Sequence, residues 1–321
     1  MPSITVLKEP DKIEQKIQQL EDLYHSPLAS QQQQKNIKKT IINLRRGYRG
    51  ECNSHYHLSQ LQPKHNTFLI SDLRLVIKNN DNRTDIAQID HILINKYGFI
   101  ALFETKSFSH GLKVDDKGRF FYKTYQGDYK AMPSPLKQSK RHETILIKTL
   151  KNIGYHGPIN THHFVLVDYK AELIKPKDKF WNVCRVDELE EAFQQEQNNN
   201  ISLLDLPNTI KIITKALSTS SEHINNCIHK LTKHHQPITI DYAAKFGLKP
   251  ASAYLTLSDI ELKFGLNRKT VFKQLVHSGL ITKGKYGWFA TEQGKKEGLI
   301  MKKQGNTQTL YLPKTTIEKA F

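Results

Sequence analysis

The sequence predicts an α/β fold, in which a sheet is flanked by helices, followed by a smaller helical domain towards the C-terminal end. Three observations carry this prediction. The segment FIALFETK, from Phe99 to Lys106, is apolar on both faces, which is typical of a central strand covered by helices. Segments with helical spacing of apolar residues lie before and after the strand-like segments. From about residue 241 the chain has a separate pattern of short helices.

The N-terminal part has helical spacing. Two segments between residues 9 and 46 repeat apolar residues every three or four positions, which predicts a helical segment over residues 1–46. The pattern then changes to strands: TFLISDLRLVI, the polar turn NNDNR, and a hairpin over Gln88–Lys106. Further strands are predicted at GRFFYKTY, HHFVLVDY and WNVCRV.

The remaining helices set the predicted domain limits. LKQSKRHETILIKTLKNIG is predicted as a helix that ends at Gly154, and VDELEEAFQQEQ as a helix capped by Asp187. EQNNN is interpreted as a polar break, and residues 203–235 as helical. The sequence therefore predicts four regions: the helical segment 1–46, a first large domain 47–195, a helical connector 196–240, and a C-terminal domain 241–321.

The charge is strongly basic. The formal net charge is +17, which favours a polyanionic partner, with nucleic acid ahead of an anionic membrane face. The alternative is a solvated lysine-rich surface that reflects an AT-rich gene. We favour nucleic acid because the excess is uneven: residues 236–321 contain 14 Lys and Arg against 6 Asp and Glu.

The cysteines and apolar runs indicate a cytoplasmic protein without a membrane partner. Cys52, Cys184 and Cys227 lie far apart and form no C-x-x-C pair, so neither a disulfide framework nor a cysteine zinc site is expected. The chain has no apolar run long enough to span a membrane, and its N-terminus does not resemble a signal peptide.

Three charges lie on the predicted hairpin. Glu104 and Lys106 are two residues apart and therefore share one face of their strand. A three-residue turn at Lys96–Gly98 would place Asp90 opposite Glu104. Two adjacent carboxylates repel each other unless a cation such as Mg²⁺ lies between them, and such a group with a lysine can hydrolyse phosphodiesters. On spacing alone, a structural salt bridge among the three residues is an equally good interpretation.

The surroundings of this hairpin resemble a known family. The elements GYRGE (47–51), AQIDHILI (87–94), GFIALFETKSF (98–108) and PSPLKQSKRH (133–142) resemble the nuclease-related domain, NERD. This family is a branch of the PD-(D/E)XK, restriction-endonuclease-like superfamily. The resemblance covers roughly residues 45–190 and implies a central mixed sheet flanked by helices. Two positions depart from the superfamily pattern: Ile89 replaces a proline, and Ser107–Phe108 replaces an Asn–aromatic pair.

The resemblance also implies roles for individual residues. Asp90 and Glu104 would be metal ligands, Lys106 the catalytic lysine, and Glu51 a further acid of the metal site. Gln138 would orient Lys106 or a phosphate. The implied cofactor is Mg²⁺, with Mn²⁺ as a substitute. An ordinary helix acid is the alternative for Glu51, and a surface glutamine the alternative for Gln138. His91 is expected to pack on the opposite face of its strand.

The last domain fits a helix-turn-helix followed by a hairpin, as in a winged helix. Ser258 is predicted to cap a first helix, Asn267 to cap a second helix over Arg268–His277, and ITKGKYGWFAT to form the hairpin. The predicted DNA-contacting residues are Arg268, Lys269, Thr270, Lys273, Gln274, Lys283 and Lys285. A protein-binding winged helix and a plain trihelical core are the alternatives.

These features together predict a Mg²⁺-dependent DNA endonuclease, for which the superfamily suggests defence against phage or other foreign DNA. Two alternatives remain open: a catalytically inactive DNA-binding or regulatory protein with a nuclease-like fold, and an RNA-directed nuclease. A homodimer is expected because many nucleases of this fold pair up to cut both strands.

Overall fold

The structure is a computed structural model that describes residues 2–78, 83–108, 110–177, 179–203, 221–285, 287–304 and 307–321. The chain divides into two compact units. The first, here called the sheet unit, comprises Met1–Lys12 and Arg45–Ile238, and the second unit comprises Ile13–Leu44 and Thr239–Phe321. The helical residues 13–44 therefore belong to the same compact unit as the C-terminal segment.

A six-stranded mixed sheet forms the centre of the sheet unit, with the strand order β1-β2-β3-β4-β8-β10. Its strands are β1 (Ile4–Lys8), β2 (Thr67–Lys78), β3 (Thr84–Asn95), β4 (Phe99–Lys106), β8 (Asn160–Val167) and β10 (Val183–Arg185). Strand β3 pairs antiparallel with β2 and with β4. The pairs β1–β2, β4–β8 and β8–β10 are parallel. The predicted α/β class with a central mixed sheet is confirmed.

The β3–β4 hairpin has the predicted register. His91 pairs with Phe103 and Ile94 with Ile100, so the turn consists of the three residues between Asn95 and Phe99. The side chain of Asn95 accepts a hydrogen bond from the backbone of Tyr97 at 2.9 Å, which stabilises the turn. The turn ends at a glycine with φ of +83°.

We expect Gly98→Ala to lower the free energy of unfolding by about 2 to 4 kcal/mol, because two penalties combine. The positive φ is unfavourable for alanine, and its Cβ would lie 2.4 Å from the carbonyl oxygen of Pro158. Gly127→Ala is the matched control, since Gly127 has a φ of +93° but no atom within 4 Å of the added Cβ. Urea unfolding followed by circular dichroism should show a clearly larger loss for Gly98→Ala, and equal losses would contradict the close contact.

Helices cover both faces of the sheet. They are α2 (Gln31–Ser59), α3 (Pro135–Asn152), α4 (Leu189–Leu203) and α5 (Ser221–Lys233). Ile100 and Leu102 of β4 face α3 and α5, where they pack in one buried cluster. Ala101 and Phe103 face the other way, in a cluster with the end of α2 and with α4. This alternation explains why β4 is apolar on both faces, as the sequence predicts.

A small four-stranded sheet lies beside the main one, with the order β7-β6-β5-β9. Its strands are β5 (Gly111–Val114), β6 (Phe120–Lys123), β7 (Tyr129–Met132) and β9 (Glu172–Ile174). Phe120 is fully buried and joins a cluster with Val165 and Val167 of β8. Of these strands, the sequence predicts only β6.

The first half of the second unit is helical. It contains α1 (Glu14–Tyr24), the first part of α2, and the short helix α6 (Tyr242–Phe246). Leu20, Leu23, Ile37 and Tyr242 are buried together in one cluster. These residues include the apolar positions that predict the N-terminal helices.

The rest of the second unit contains short helices and strands, including a helix over Arg268–His277 and a hairpin after it, at the positions that the sequence predicts. The helices are α7 (Leu257–Phe264), α8 (Arg268–His277), α9 (Glu292–Lys296) and α10 (Lys314–Ala320). The strands are β11 (Tyr254–Thr256), β12 (Ile281–Gly284), β13 (Gly287–Ala290), β14 (Ile300–Gln304) and β15 (Thr307–Pro313). Strands β12 and β13 form the hairpin, and β11-β15-β14 form a separate sheet. The predicted cap Asn267 accepts a hydrogen bond from the backbone of Thr270 at 2.9 Å.

Several local predictions are wrong. EQNNN is not a break, since α4 continues through it to Leu203. Asp187 lies within a 3₁₀ turn, Val186–Glu188, and does not cap it. Thr256 rather than Ser258 caps α7, because the Thr256 side chain and Asp259 form a reciprocal capping box. The sequence also gives no sign of β1.

Two predictions lie partly or wholly outside the described residues. These are the turn NNDNR and the helical pattern of residues 204–220. Among the described residues, the helices are all too short or too polar to cross a bilayer.

Candidate active site

The predicted charged group lies where β3 and β4 separate. Their pairing ends at His91 and Phe103, and the same register places Asp90 opposite Glu104. The backbone N–H of Thr105 donates a hydrogen bond of 2.7 Å to Oδ2 of Asp90. Beyond the last backbone pair, this hydrogen bond to a side chain connects the two strands and holds the Asp90 carboxylate beside the end of β4.

Glu104 is the most buried member of the group, with 3% of its surface exposed. Its Oε1 accepts hydrogen bonds from Lys106 Nζ at 2.5 Å and from Gln138 Nε2 at 2.8 Å. The Gln138 Oε1 lies 3.5 Å from Lys106 Nζ. Among the described residues, Oε2 accepts no hydrogen bond, and His142 Nδ1 is 4.0 Å from it. One carboxylate oxygen is thus held by the protein while the other remains available to a ligand.

The electrostatics of the two acids are unfavourable without a cation. Burial raises the pKa of Asp90 well above its usual value, and the charges of Glu104 and Glu51 raise it further. Burial also raises the pKa of Glu104, against the opposing effects of Lys106 and Gln138. Lys106 therefore offsets only part of the cost of keeping two adjacent carboxylates in a desolvated place.

Glu51 is brought near this group by close packing of α2 against the end of β4. A Cβ on Gly50 would lie 2.0 Å from Ser107 Oγ, so a larger residue at this position of GYRGE would require the Ser107 side chain to rotate away. Thr105 Oγ1 donates a hydrogen bond of 3.2 Å to Ser54 Oγ, one turn further along α2. Glu51 is consequently close enough for its negative charge to raise the pKa of Asp90.

His142 is a site residue that the sequence reasoning missed. It follows Gln138 by four residues on α3, so both side chains lie on the helix face that meets Glu104. Burial, with the charges of Arg141 and Lys106, lowers the pKa of His142 to about 4. The imidazole is therefore neutral at neutral pH. The i, i+4 spacing from Gln138 is the signal that identifies it.

Two further histidines near this part of the sheet, His91 and His163, have polar partners of their own. As expected, His91 faces away from Asp90; it is fully buried, and its Nδ1 lies 2.8 Å from Ser71 Oγ. His163 lies between Ser139 and Glu143, with contacts of 2.8 and 3.1 Å. Among the described residues, no three His, Cys, Asp or Glu side chains form a group that could hold a metal ion.

The donor chemistry nevertheless fits Mg²⁺ at Asp90 and Glu104. Magnesium prefers carboxylate oxygens, keeps several of its waters, and is commonly held by only one or two protein carboxylates together with substrate phosphates. A pair of acids with raised pKa values and an available Oε2 matches this preference. Among the described residues, Glu51 does not form a three-carboxylate metal-binding group with Asp90 and Glu104.

A cleft of about 490 Å³ with four basic residues in its lining lies between the first turns of α3 and the strands β6 and β7. Lys137 and Arg141 line it, and they immediately precede Gln138 and His142, which both approach Glu104. Lys117 and Arg119, which lie in the loop before β6, also line the cleft. Arg119 is ion-paired with Asp115 at 2.7 Å, so Lys117, Lys137 and Arg141 supply the positive charge by which this cleft attracts anions.

The predicted DNA-contacting residues of the second unit differ in their availability. Arg268 forms a two-point contact with Glu261, at 3.0 and 3.2 Å, and Gln274 donates a 2.9 Å hydrogen bond to the carbonyl of Ala320. Thr270 is bonded to Asn267. Thr270 is half-buried, whereas the other six members are exposed, and of these Arg268 and Gln274 are the two held by the contacts just described.

Comparison with known proteins identifies a nuclease-related domain, NERD, at residues 46–167. The matched segment includes the β3–β4 hairpin, Glu51, and the helix that carries Gln138 and His142. Comparisons with curated proteins and with solved structures gave no match.

Proposed function

We propose that the sheet unit is a metal-dependent nuclease that hydrolyses phosphodiester bonds in DNA. The observation that carries this proposal is the junction of Asp90, Glu104, Lys106 and Gln138 at the end of β4. Its position within the nuclease-related domain supports the same function.

Asp90 and Glu104 would hold Mg²⁺, or Mn²⁺ in its place. When bound, the ion supplies Lewis-acid stabilisation of charge on the phosphate and makes a water more acidic. Asp90 is oriented for this role by the N–H of Thr105, and Glu104 by Gln138. Glu51 adds negative charge close by, which strengthens the attraction for a cation.

Lys106 would act on the reacting phosphate. Its ammonium group is held at one oxygen of Glu104 and near the amide of Gln138, so its position is fixed before substrate binds. A positive charge fixed in a partly buried place stabilises the negative charge that develops on phosphate oxygens and orients the attacking water. Gln138 is a positioning residue for both Lys106 and Glu104.

The preference for DNA rests on charge and on the second unit. The basic cleft along α3 suits a phosphate backbone, and the second unit adds exposed lysines on α8 and the hairpin. We propose that these elements act as a winged-helix-like module for nucleic acid. We further propose a cytoplasmic role in defence against foreign DNA, with a homodimer cutting both strands.

The test is a cleavage assay with the purified full chain on plasmid DNA and on single-stranded RNA. We expect plasmid cleavage in Mg²⁺ or Mn²⁺ and none in EDTA, because the two acids need a cation to hold the phosphate. Cleavage that persists in EDTA would contradict the proposal. If the protein cleaves RNA but not DNA, RNA is the substrate. If it binds DNA in a salt-sensitive way but cleaves neither, it is better described as an inactive DNA-binding protein.

A further inference from the structure

A groove of about 810 Å³ lies between α8 and the β12–β13 hairpin, and we call it the aromatic groove. Its floor is apolar and consists of Phe272, Val276 and Trp288. The remaining lining residues come from α8 and are polar or basic: Arg268, Lys269, Lys273 and His277. Its lining residues all belong to the second unit, and none of them is a residue of the proposed active site.

The apolar floor presents an aromatic surface to solvent. The rings of Phe272 and Trp288 are stacked, with centroids 4.5 Å apart and planes inclined by 18°. Val276 is 44% exposed on the same helix face, one turn after Phe272. An α8 that read base edges in a duplex would present hydrogen-bonding side chains here. Instead, Arg268 and Gln274 are occupied by contacts within the chain.

The rim of the groove is positively charged. Lys269 and Lys273 lie one turn apart on α8. On the hairpin, Lys283 pairs directly across from Trp288, so the two side chains lie on the same face. The sequence contains no acidic residue between Glu261 and Glu292, and Glu261 is itself bound to Arg268. The favoured ligand is therefore anionic with a flat apolar part.

We infer that the aromatic groove binds single-stranded nucleic acid. An unpaired base would stack on the Trp288–Phe272 surface, and the phosphates on either side would contact Lys269, Lys273 and Lys283. Aromatic platforms combined with basic rims are the usual means of binding single strands, since every base has a stacking face. This inference rests on the proposal that the second unit binds nucleic acid and deepens it, because it names single strands as the ligand of the aromatic groove; it requires no hydrolysis.

The test uses the full chain in EDTA, so that binding is measured without cleavage. In a Trp181→Phe background, Trp288 is the only tryptophan and reports on the groove. We expect a single-stranded oligo(dT) to quench its fluorescence and a blunt duplex of equal length to leave it nearly unchanged. Val276→Glu should weaken oligo(dT) binding roughly 5- to 100-fold, which is the range for losing one stacked base in a site that also gains a repulsive charge.

Leu262→Glu is the matched control. Leu262 is 87% exposed on α7 and does not line the groove, so the same change of charge there should leave affinity within about twofold. Lys269→Ala with Lys273→Ala should lower the salt dependence of binding, while Lys296→Ala on α9 should not. These exposed positions leave the fold intact, which circular dichroism checks.

Three results would overturn the inference: no change in Trp288 fluorescence with oligo(dT), equal affinity of Val276→Glu and Leu262→Glu, or equal quenching by the duplex. Quenching by an acidic, leucine-rich peptide but not by oligo(dT) would assign the groove to a protein partner instead. Because the assay contains EDTA, failure of the catalytic proposal leaves this readout unaffected. Loss of the groove signal, in turn, does not predict loss of metal-dependent cleavage.

Discussion

Asp90→Asn is expected to lower plasmid cleavage by about 10³-fold or more, and at the same time to stabilise the metal-free protein. The loss of activity follows because a charged ligand of the proposed cation is removed, which forfeits several kcal/mol of transition-state stabilisation. The asparagine side chain has nearly the same shape, and its oxygen can still accept the hydrogen bond that Thr105 N–H donates at this position. The folded structure should therefore be retained.

The gain in stability follows from the raised pKa of Asp90, which burial and the charges of Glu104 and Glu51 cause. When a carboxyl has a higher pKa in the folded state than in the unfolded state, its ionisation destabilises the folded protein. The loss of stability therefore grows as the pH rises above the pKa of the unfolded state, near 4. Asparagine removes this cost at neutral pH. At pH values below the unfolded pKa both proteins carry a neutral side chain, and the difference should disappear.

Thermal unfolding in EDTA at pH 7.5 and at pH 3.5 measures this effect. We expect a higher melting temperature for Asp90→Asn at pH 7.5 only, and we expect added Mg²⁺ to stabilise the wild type more than the variant. Asp116→Asn, in an exposed loop, is the matched control and should change neither property. A variant that is less stable than the wild type at pH 7.5 would contradict the account of repulsion between buried acids.

Lys106→Met is expected to lower cleavage by about 10² to 10⁴-fold while leaving DNA binding nearly unchanged. Methionine keeps the apolar stem but removes the ammonium group that lies 2.5 Å from Glu104 and beside Gln138. The loss should appear in kcat rather than in KM, because Lys106 is proposed to stabilise charge that develops only during the reaction.

Lys78→Met provides the comparison for Lys106. Lys78 ends β2 in the same unit and is exposed, so its loss removes one positive charge without touching the site. Steady-state cleavage rates on plasmid DNA should separate the two variants by at least about 100-fold. If the two variants cleave at equal rates, Lys106 has no catalytic role and only forms a structural salt bridge.

The sequence predicts the centre of the molecule well because the relevant signals are local. Alternation along FIALFETK gives both faces of β4, and the length of the turn before Phe99 gives the register that places Asp90 opposite Glu104. Asn267 as a helix cap follows from equally local chemistry. In each of these cases, neighbouring residues determine the geometry.

The features that the sequence reasoning missed depend on distant partners. Strand β1 is short and exists through parallel pairing with β2, more than fifty residues away. His142 joins the site only because α3 packs with that face towards Glu104. Arg268 looks available for DNA in the sequence, but Glu261 holds it across the turn between α7 and α8. Hydrophobic periodicity contains no information about such pairings.

The proposed active site also illustrates a conflict between stability and function. Asp90 is desolvated and is repelled by Glu104 and Glu51, and burial raises the pKa of Glu104 although Lys106 and Gln138 lower it. Local rules for burying charge are broken here, and such violations are concentrated at functional sites. A bound cation would resolve the conflict, which couples metal binding to stability.

The most direct test of this account compares plasmid cleavage by the wild type and by Glu104→Gln in the same Mg²⁺ buffer. Glutamine keeps the size of the side chain and removes only the charge that is shared between Lys106 and the proposed cation. We predict that the wild type cleaves and that Glu104→Gln falls to the level of the EDTA control. Cleavage by Glu104→Gln at the wild-type rate would contradict the assignment of the active site.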